Sequence, residues 1–203
     1  FQNPCDSPAL KKLFRAAKTT RITILDKDVV DEIIFRTSNP RNRLIIELMA
    51  RSCMRIGEVL KLTPSNIEDR KAIIREPKSG KETETAFLPQ KMAERLADYI
   101  RENEIGSDAR IFPITYAAAR MMVKKAGDMV GVHVRPHDFR RHGATYASRS
   151  GVPIEIVSKV LLRHSNLSTT NLNFRIFKLD NLEKPISLPG SRCGLGFTII
   201  QID

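Results

Sequence analysis

Five side chains in this sequence have the chemistry needed to hold and activate a phosphate group: Arg55, Lys78, His137, Arg140 and His164. A guanidinium group is always charged and can bind two phosphate oxygens at once. An imidazole exchanges protons near pH 7, and a lysine can protonate a departing oxygen. Two arginines on one phosphodiester would stabilise the charge that develops on its non-bridging oxygens during transfer.

Each of these residues also has an ordinary structural interpretation. His137 and Arg140 are three positions apart, so a helix places both on one face, which could be simply a basic surface. Arg55 could form a surface salt bridge, His164 could cap a carbonyl, and a turn lysine needs no special role. Their occurrence together, in order and at suitable intervals, is what favours a phosphate site.

The elements that position these residues are mostly helical by pattern. Apolar residues at helical spacing follow a candidate N-cap in Leu25-Asp26-Lys27-Asp28. Thr63-Pro64 ends a helix that begins near Arg55. The sequence predicts a mainly α fold with a small antiparallel β-sheet (α+β): helices near 26–34, 41–49, 55–62, 90–104, 115–130, 137–149 and 153–162, and strands near 71–76 and 82–88.

The two predicted strands are joined by Pro77-Lys78-Ser79-Gly80-Lys81, in which the glycine can take the positive φ of a hairpin turn. This arrangement places Lys78 at the tip of a hairpin, with Lys81 as the alternate. The lysine therefore comes from the sheet, whereas the other four candidates come from helices or their ends.

Four segments together resemble the active-site motifs of tyrosine recombinases, the family of phage integrases and Xer-type enzymes. The resemblance covers roughly residues 20–175, and four motifs in order are a far stronger signal than any one of them. They are the first-arginine helix Leu48–Leu60, the lysine-bearing turn Ile74–Lys81, the histidine–arginine segment His137–Thr145, and Leu161-Leu-Arg-His164-Ser165, followed by Leu167–Thr170 on the approach to the tyrosine.

The resemblance implies the DNA breaking–rejoining fold and a function in site-specific DNA recombination or integration. By this likeness Arg55 and Arg140 hold the scissile phosphate, His137 and His164 hydrogen-bond it and manage protons, and Lys78 is the general acid. Lys78 fits that position better than Lys81. The chemistry implied needs no metal or nucleotide cofactor. The implied partners are double-stranded DNA and further copies of the chain in a tetrameric synapse on it.

Two positions depart from the family pattern. Arg163 stands where the family usually has glycine, which adds charge where the backbone turns tightly. Asn173 occupies the nucleophile position, nine residues after His164, and a carboxamide cannot form the covalent DNA intermediate. Phe174 is the alternate packing equivalent of the tyrosine. The sequence therefore predicts a chain that binds DNA but is deficient in cleavage.

Three causes of the missing nucleophile remain open. The substitution could be natural or engineered, or a shifted reading frame could have altered the chain after about residue 171. A tyrosine from another subunit is disfavoured, because Tyr99, Tyr116 and Tyr146 are the only tyrosines and all precede His164.

The chain divides by composition into three parts. Residues 1–22 are expected to be a linker from a missing N-terminal DNA-clamping domain, since the chain begins at Phe1 and reads as a fragment. Residues 23–175 form the catalytic domain. Residues 176–203 are a divergent tail, rich in Pro and Gly, in which Gly196–Ile202 is expected to pair as a strand with the hairpin.

Bulk composition agrees with a soluble DNA-binding protein. The 203 residues carry a net charge of +11, and basic groups gain affinity for a polyanion by releasing its counterions. No segment is apolar enough to span a membrane. Three scattered cysteines are too few for a disulfide framework, and Cys53 is expected to be a small buried hydrophobe. Neither a secretory signal nor a cleavage site is recognisable at the start of the sequence, which predicts a reducing, cytoplasmic location.

Two other classes compete with a recombinase. His133, His137 and His142 could hold zinc, but Pro136 interrupts the helix they need and no cysteine or carboxylate cluster completes the shell. A non-catalytic DNA-binding regulator is the main alternative, with residues 151–170 as two short helices around a turn. The fold could also persist as a catalytically silent binding module.

Overall fold

Most of the described chain is helical. The computed structural model describes residues 24–75 and 82–164. The elements are α1 (Lys27–Arg36), α2 (Pro40–Arg51), α3 (Ile56–Val59), a 3₁₀ turn (Pro64–Asn66), β1 (Ile67–Glu68), β2 (Lys71–Arg75), β3 (Thr83–Phe87), α4 (Gln90–Glu102), α5 (Tyr116–Asp128), α6 (Pro136–Arg149) and α7 (Ile154–Ile156), which continues into a wider π-helical turn (Val157–Leu161).

Helix α2 is the centre of the core. It begins at Pro40, which has no N–H to leave unpaired, and the Asn39 side chain accepts a hydrogen bond from the backbone N–H of Asn42. Most of its second half is buried, so the helix needs neighbours on several sides. Helices α1, α4 and α6 pack against it.

Helices α2 and α6 come unusually close together at Gly143. A Cβ atom built on Gly143 would lie 2.3 Å from the Ala50 carbonyl oxygen and 2.7 Å from the Cys53 Sγ atom. Only a residue without a side chain fits this crossing. The close approach brings α6, with His137 and Arg140, against the end of α2 that leads to Arg55.

The sheet is antiparallel with strand order β1-β2-β3. In its register Ile74 is opposite Glu84, and Arg75 is opposite Thr83 at the end of the hairpin. Alternate residues of β3 are buried, and Glu84 occupies one of these inward positions. The connection between β2 and β3, which contains Lys78 and Lys81, lies outside the described residues.

The predicted fold class and the long helices are confirmed, but several details differ. Helix α3 is a single turn where a longer helix was expected, because the chain leaves it for a 3₁₀ turn at Pro64. Strand β1 was not predicted; at two residues it is too short to show alternation. Residues 154–161 form one continuous helical segment, in agreement with the predicted helix near 153–162. The two short helices of the regulator alternative are not seen in the described part of 151–170.

None of the helices within residues 24–75 and 82–164 is long and apolar enough to cross a membrane. The expected strand at 196–202, and the linker at 1–22, lie outside the described residues. The division into linker, catalytic domain and tail therefore stays a prediction.

Candidate active site

Arg55 lies immediately before α3, where its backbone has an extended conformation. Its N–H donates to Glu58 Oε2 at 2.8 Å, and its Nη1 lies 2.5 Å from Glu58 Oε1. Burial alone would raise the pKa of the Glu58 carboxyl, but Arg163 and Arg55 beside it hold that pKa below its usual value. Glu58 is thus a charged carboxylate that fixes the direction of the Arg55 side chain.

Arg140 is a buried guanidinium, with the residue 1% exposed. Its Nη1 donates to the Cys53 carbonyl and its Nη2 donates to the Leu162 carbonyl. Burial and the positive charges of Arg55 and Arg163 lower the pKa of Arg140 to about 10, so it stays protonated at neutral pH. Two of its five N–H groups are used by these carbonyls.

One of those two carbonyls belongs to Cys53, whose backbone conformation is unusual. Its φ of 50° is in the left-handed region, which is uncommon for a residue with a side chain. The thiol itself is buried, and burial raises its pKa to about 11. Cys53 is therefore an inert small residue, as predicted from its apolar surroundings.

The two histidines of the site are neutral at pH 7. Burial, followed by the charges of Arg141 and Arg140, lowers the pKa of His137. Burial, with the charges of Arg140, Arg55 and His137, lowers the pKa of His164 to about 4. The His164 backbone N–H donates to the Ser158 carbonyl at 2.9 Å, which fixes the loop after the π-helical turn.

Arg163 is the residue that replaces the family's glycine, and the backbone there does turn tightly, with φ of 50°. Its side chain is buried between two carboxylates. Nη2 lies 2.6 Å from Glu58 Oε2, and Nε lies 3.3 Å from Glu84 Oε2 in an ion pair without hydrogen-bond geometry. The negative partners of this arginine come from α3 and β3.

The structure thus brings together four of the predicted site residues: Arg55, His137, Arg140 and His164. Arg140 reaches the Leu162 carbonyl, two residues before His164, and His137 lies one helical turn before Arg140 on α6. Arg55 shares Glu58 with Arg163, the neighbour of His164. Lys78 and Lys81, and both Asn173 and Phe174 at the nucleophile position, lie outside the described residues.

Sequence reasoning missed the two acidic residues of the site. Glu58 is part of the Arg-Ile-Gly-Glu segment, and its spacing of three from Arg55 was a usable signal. Glu84 is a charged residue at an inward position of a strand, which is unusual unless it is paired. The alternation in β3 does not by itself show which face is buried, so the tertiary structure was needed to identify Glu84.

The other histidines do not assemble a metal site in the described residues. His142 Nδ1 lies 2.8 Å from the Leu25 carbonyl oxygen, so this nitrogen already has a partner. The part of the chain that the structure describes contains no group of three or more His, Cys, Asp or Glu residues able to hold a metal ion.

The three tyrosines occupy ordinary positions. Tyr99 stacks on Phe112 in the core with ring centroids 6.0 Å apart, and Tyr146 stacks on His142 at 6.1 Å. Tyr116 begins α5 and is largely exposed. Tyr146 is six residues beyond Arg140 on the same helix, a spacing that directs the two side chains to different faces.

Comparison with known proteins identifies the family. Residues 23–176 match the phage integrase family. The sequence is 30% identical over 162 residues to the tyrosine recombinase XerA of Pyrococcus horikoshii, covering 75% of this chain and 56% of that protein. It is 28% identical over 164 residues to the TnP I resolvase of Bacillus thuringiensis, covering 77% of this chain and 57% of the relative. The chain spans about half the length of the curated relatives it matches.

Solved structures share the fold. The XerA recombinase crystal structure superposes with a TM-score of 0.66 at 19% identity, covering 81% of this chain and 66% of that one. The XerH recombinase bound to a palindromic difH substrate gives a TM-score of 0.68 at 21% identity, covering 83% of this chain and 54% of that one. With the family match over most of its length, this chain belongs to the phage integrase family of tyrosine recombinases.

Proposed function

We propose that this chain binds duplex DNA and activates one phosphodiester for site-specific cleavage and rejoining, but cannot itself complete the cleavage. The observation that carries the proposal is the convergence of Arg55 and Arg140 with the neutral histidines His137 and His164. Guanidinium groups approaching from two elements suit one phosphate with several charged oxygens. The match to a Xer recombinase solved on its DNA substrate supports the same partner.

The roles follow from the chemistry of each group. Arg55 and Arg140 stabilise the negative charge that develops on the non-bridging oxygens in the transition state. A neutral imidazole can donate or accept one hydrogen bond, so His164 and His137 can contact those oxygens and exchange a proton with the nucleophile. Lys78 is proposed as the general acid that protonates the 5′ oxygen as its bond to phosphorus breaks.

The missing step is the attack on phosphorus. A tyrosine hydroxyl would form the new phosphorus–oxygen bond, but position 173 is Asn. Its amide nitrogen is a poor nucleophile because its lone pair is delocalised into the carbonyl, so no covalent phosphoprotein forms. The proposal includes a cytoplasmic location, in keeping with the few cysteines, and assembly as a tetramer on DNA, which rests on the family resemblance.

The test of this proposal uses a nicked suicide substrate. A duplex sequence is first selected from a random library by its binding to the chain, and is then nicked beside each candidate phosphate. On a denaturing gel the unmodified chain should give no covalent protein–DNA band. The Asn173→Tyr variant is the complementary sample in which a band is expected. A covalent band from the unmodified chain would show that the proposed defect is wrong.

The alternative of a non-catalytic regulator predicts a different response to Arg55→Ala. A protein that recognises base edges should keep its sequence preference, because a side chain that contacts phosphate adds affinity but carries no sequence information. The proposed function predicts that this variant loses adduct formation in the Asn173→Tyr background. Arg51→Ala, which removes a neighbouring arginine that pairs with Asp31 at 2.8 Å, is the matched control and should keep it.

A further inference from the structure

A buried ion cluster lies beside the proposed phosphate site. Arg163 is placed between Glu58 and Glu84, at 2.6 Å and 3.3 Å, and all three side chains are at most 8% exposed. Groups so deeply buried lose their hydration, so a cluster of this kind persists only when the charges compensate one another. Arg163 also donates from Nη1 to the Leu161 carbonyl at 3.3 Å.

The cluster joins three parts of the chain that are distant in sequence. Glu58 holds Arg55 through its second oxygen. Glu84 belongs to β3, which pairs with β2. Arg163 itself lies between Leu162, whose carbonyl accepts from Arg140, and His164. One side chain therefore connects the supports of both proposed phosphate-binding arginines to strand β3.

Simple maintenance of the fold does not account for an arginine at this position. Its φ of 50° is one that glycine adopts freely, whereas a residue with a Cβ is strained there by roughly 1 kcal/mol. A glycine would satisfy the backbone but would leave Glu84 without this partner. The contacts that only the guanidinium can make are those with the two carboxylates.

We propose that Arg163 is a positioning residue, which connects Glu58 and Glu84 and thereby fixes Arg55, Arg140 and strand β3 in one arrangement beside the phosphate site. This inference rests on the proposed function. Arg163 does not contact the phosphate in this assignment, since its guanidinium faces the two carboxylates. The planar fork of arginine matters, because a lysine ammonium cannot reach both acids in the same way.

The experiment measures binding of inorganic phosphate to the whole chain, followed by the imidazole NMR signals of its four histidines. In the intact chain phosphate should shift the signals of His137 and His164. Arg163→Met should weaken this binding roughly tenfold, the size expected when an outer support of a ligand-binding group is removed. Arg163→Lys should recover only part of the loss.

A second variant separates positioning from charge balance. Arg163→Met combined with Glu84→Gln removes one positive and one negative charge, so the net charge of the cluster is that of the intact chain. If the single variant fails to fold, this pair also removes the buried Glu84 charge that has lost its ion pair with Arg163. The proposal predicts that binding stays weak in this pair. Binding as tight as in the intact chain would overturn it, because Arg163 would then be only a counter-ion.

Arg95→Met is the matched control. Arg95 on α4 pairs with the buried Glu47 on α2 at 2.9 Å, away from the site. This variant should lower the melting temperature and leave phosphate binding unchanged. The two proposals fail differently: if phosphate does not shift the His137 and His164 signals of the intact chain, both are wrong. If it does, and Arg163→Met binds equally well, only the positioning role is wrong.

Discussion

Arg140 donates to two backbone carbonyls that are far apart in the sequence, those of Cys53 and Leu162. The hydrogen bond to the Cys53 carbonyl closes the turn after α2. The hydrogen bond to the Leu162 carbonyl closes the π-helical turn before His164. A side chain that fulfils both hydrogen bonds is part of the core and of the proposed site at once. Its substitution should therefore affect stability as well as DNA binding.

Arg140→Lys tests this double role. An ammonium group cannot follow the two diverging directions of the guanidinium, so at least one buried carbonyl loses its partner. We expect the free energy of unfolding to fall by about 2 kcal/mol, measured by urea denaturation. Arg141→Lys is the control, because Arg141 lies on the same helix and only reaches Asp138 at 3.4 Å. A loss no larger than that of the control would contradict the account.

His164 should make stability depend on pH in a defined window. Its pKa in the folded chain is about 4, below the ordinary value of 6.5. Between these values the unfolded chain binds more protons, so stability is fully present above about pH 6.5 and falls as the pH is lowered towards 4. Because the ring is partly exposed, we expect a loss on the order of 1 kcal/mol.

The measurement is the melting temperature between pH 7 and pH 4 for the intact chain and for His164→Asn. The variant should show a shallower decline, because its side chain does not titrate. His133→Asn serves as the comparison for a histidine outside the site. Equal slopes in all three proteins would show that burial and the neighbouring arginines do not lower the pKa of His164.

At the scale of elements, the crossing of α2 and α6 determines whether Arg140 can reach the Cys53 carbonyl. Gly143→Ala places a methyl group where the Ala50 carbonyl would be only 2.3 Å away, so the helices must separate. We expect a loss of about 2–3 kcal/mol, typical of overpacking, in urea unfolding. Gly57→Ala, where nothing lies within 4 Å of the added Cβ, should be neutral or slightly stabilising.

The helices and strands were largely predictable because their signals are local. Helix α1 shows apolar residues at helical spacing after Asp26, and α2 begins with Asn39-Pro40. The first and last residues of both helices agree with the prediction to within two residues. Strands β2 and β3 also followed from alternation and an intervening glycine turn, whereas β1 has too few residues to carry a pattern.

The supports of the site could not be predicted in the same way, because they join residues distant in sequence. Arg163 and Glu58 are 105 positions apart, and Arg140 and Cys53 are 87 apart. No periodicity relates such pairs; only the packing of α3, α6 and β3 brings them together. The motifs indicated the residues that are proposed to face the phosphate, whereas only the tertiary structure identifies the residues that hold them in place.

At the scale of the whole molecule, a net charge of +11 would account for the proposed attraction to DNA but not for recognition of one phosphate. General attraction spreads over many phosphates and weakens evenly as salt is added. The proposed site adds one strong contact made by Arg55 and Arg140. The two contributions can be separated by removing the charge from one phosphate at a time.

The most direct test of the central claim is therefore a scan of neutral phosphates. Each phosphate of the selected duplex is replaced in turn by an uncharged methylphosphonate, and affinity is measured by fluorescence anisotropy. For the intact chain and Arg51→Ala, one position should cost roughly tenfold or more in affinity, the size of a lost charged hydrogen bond. In Arg55→Ala that position should become no more sensitive than its neighbours. Identical profiles for the intact chain and Arg55→Ala would contradict the account.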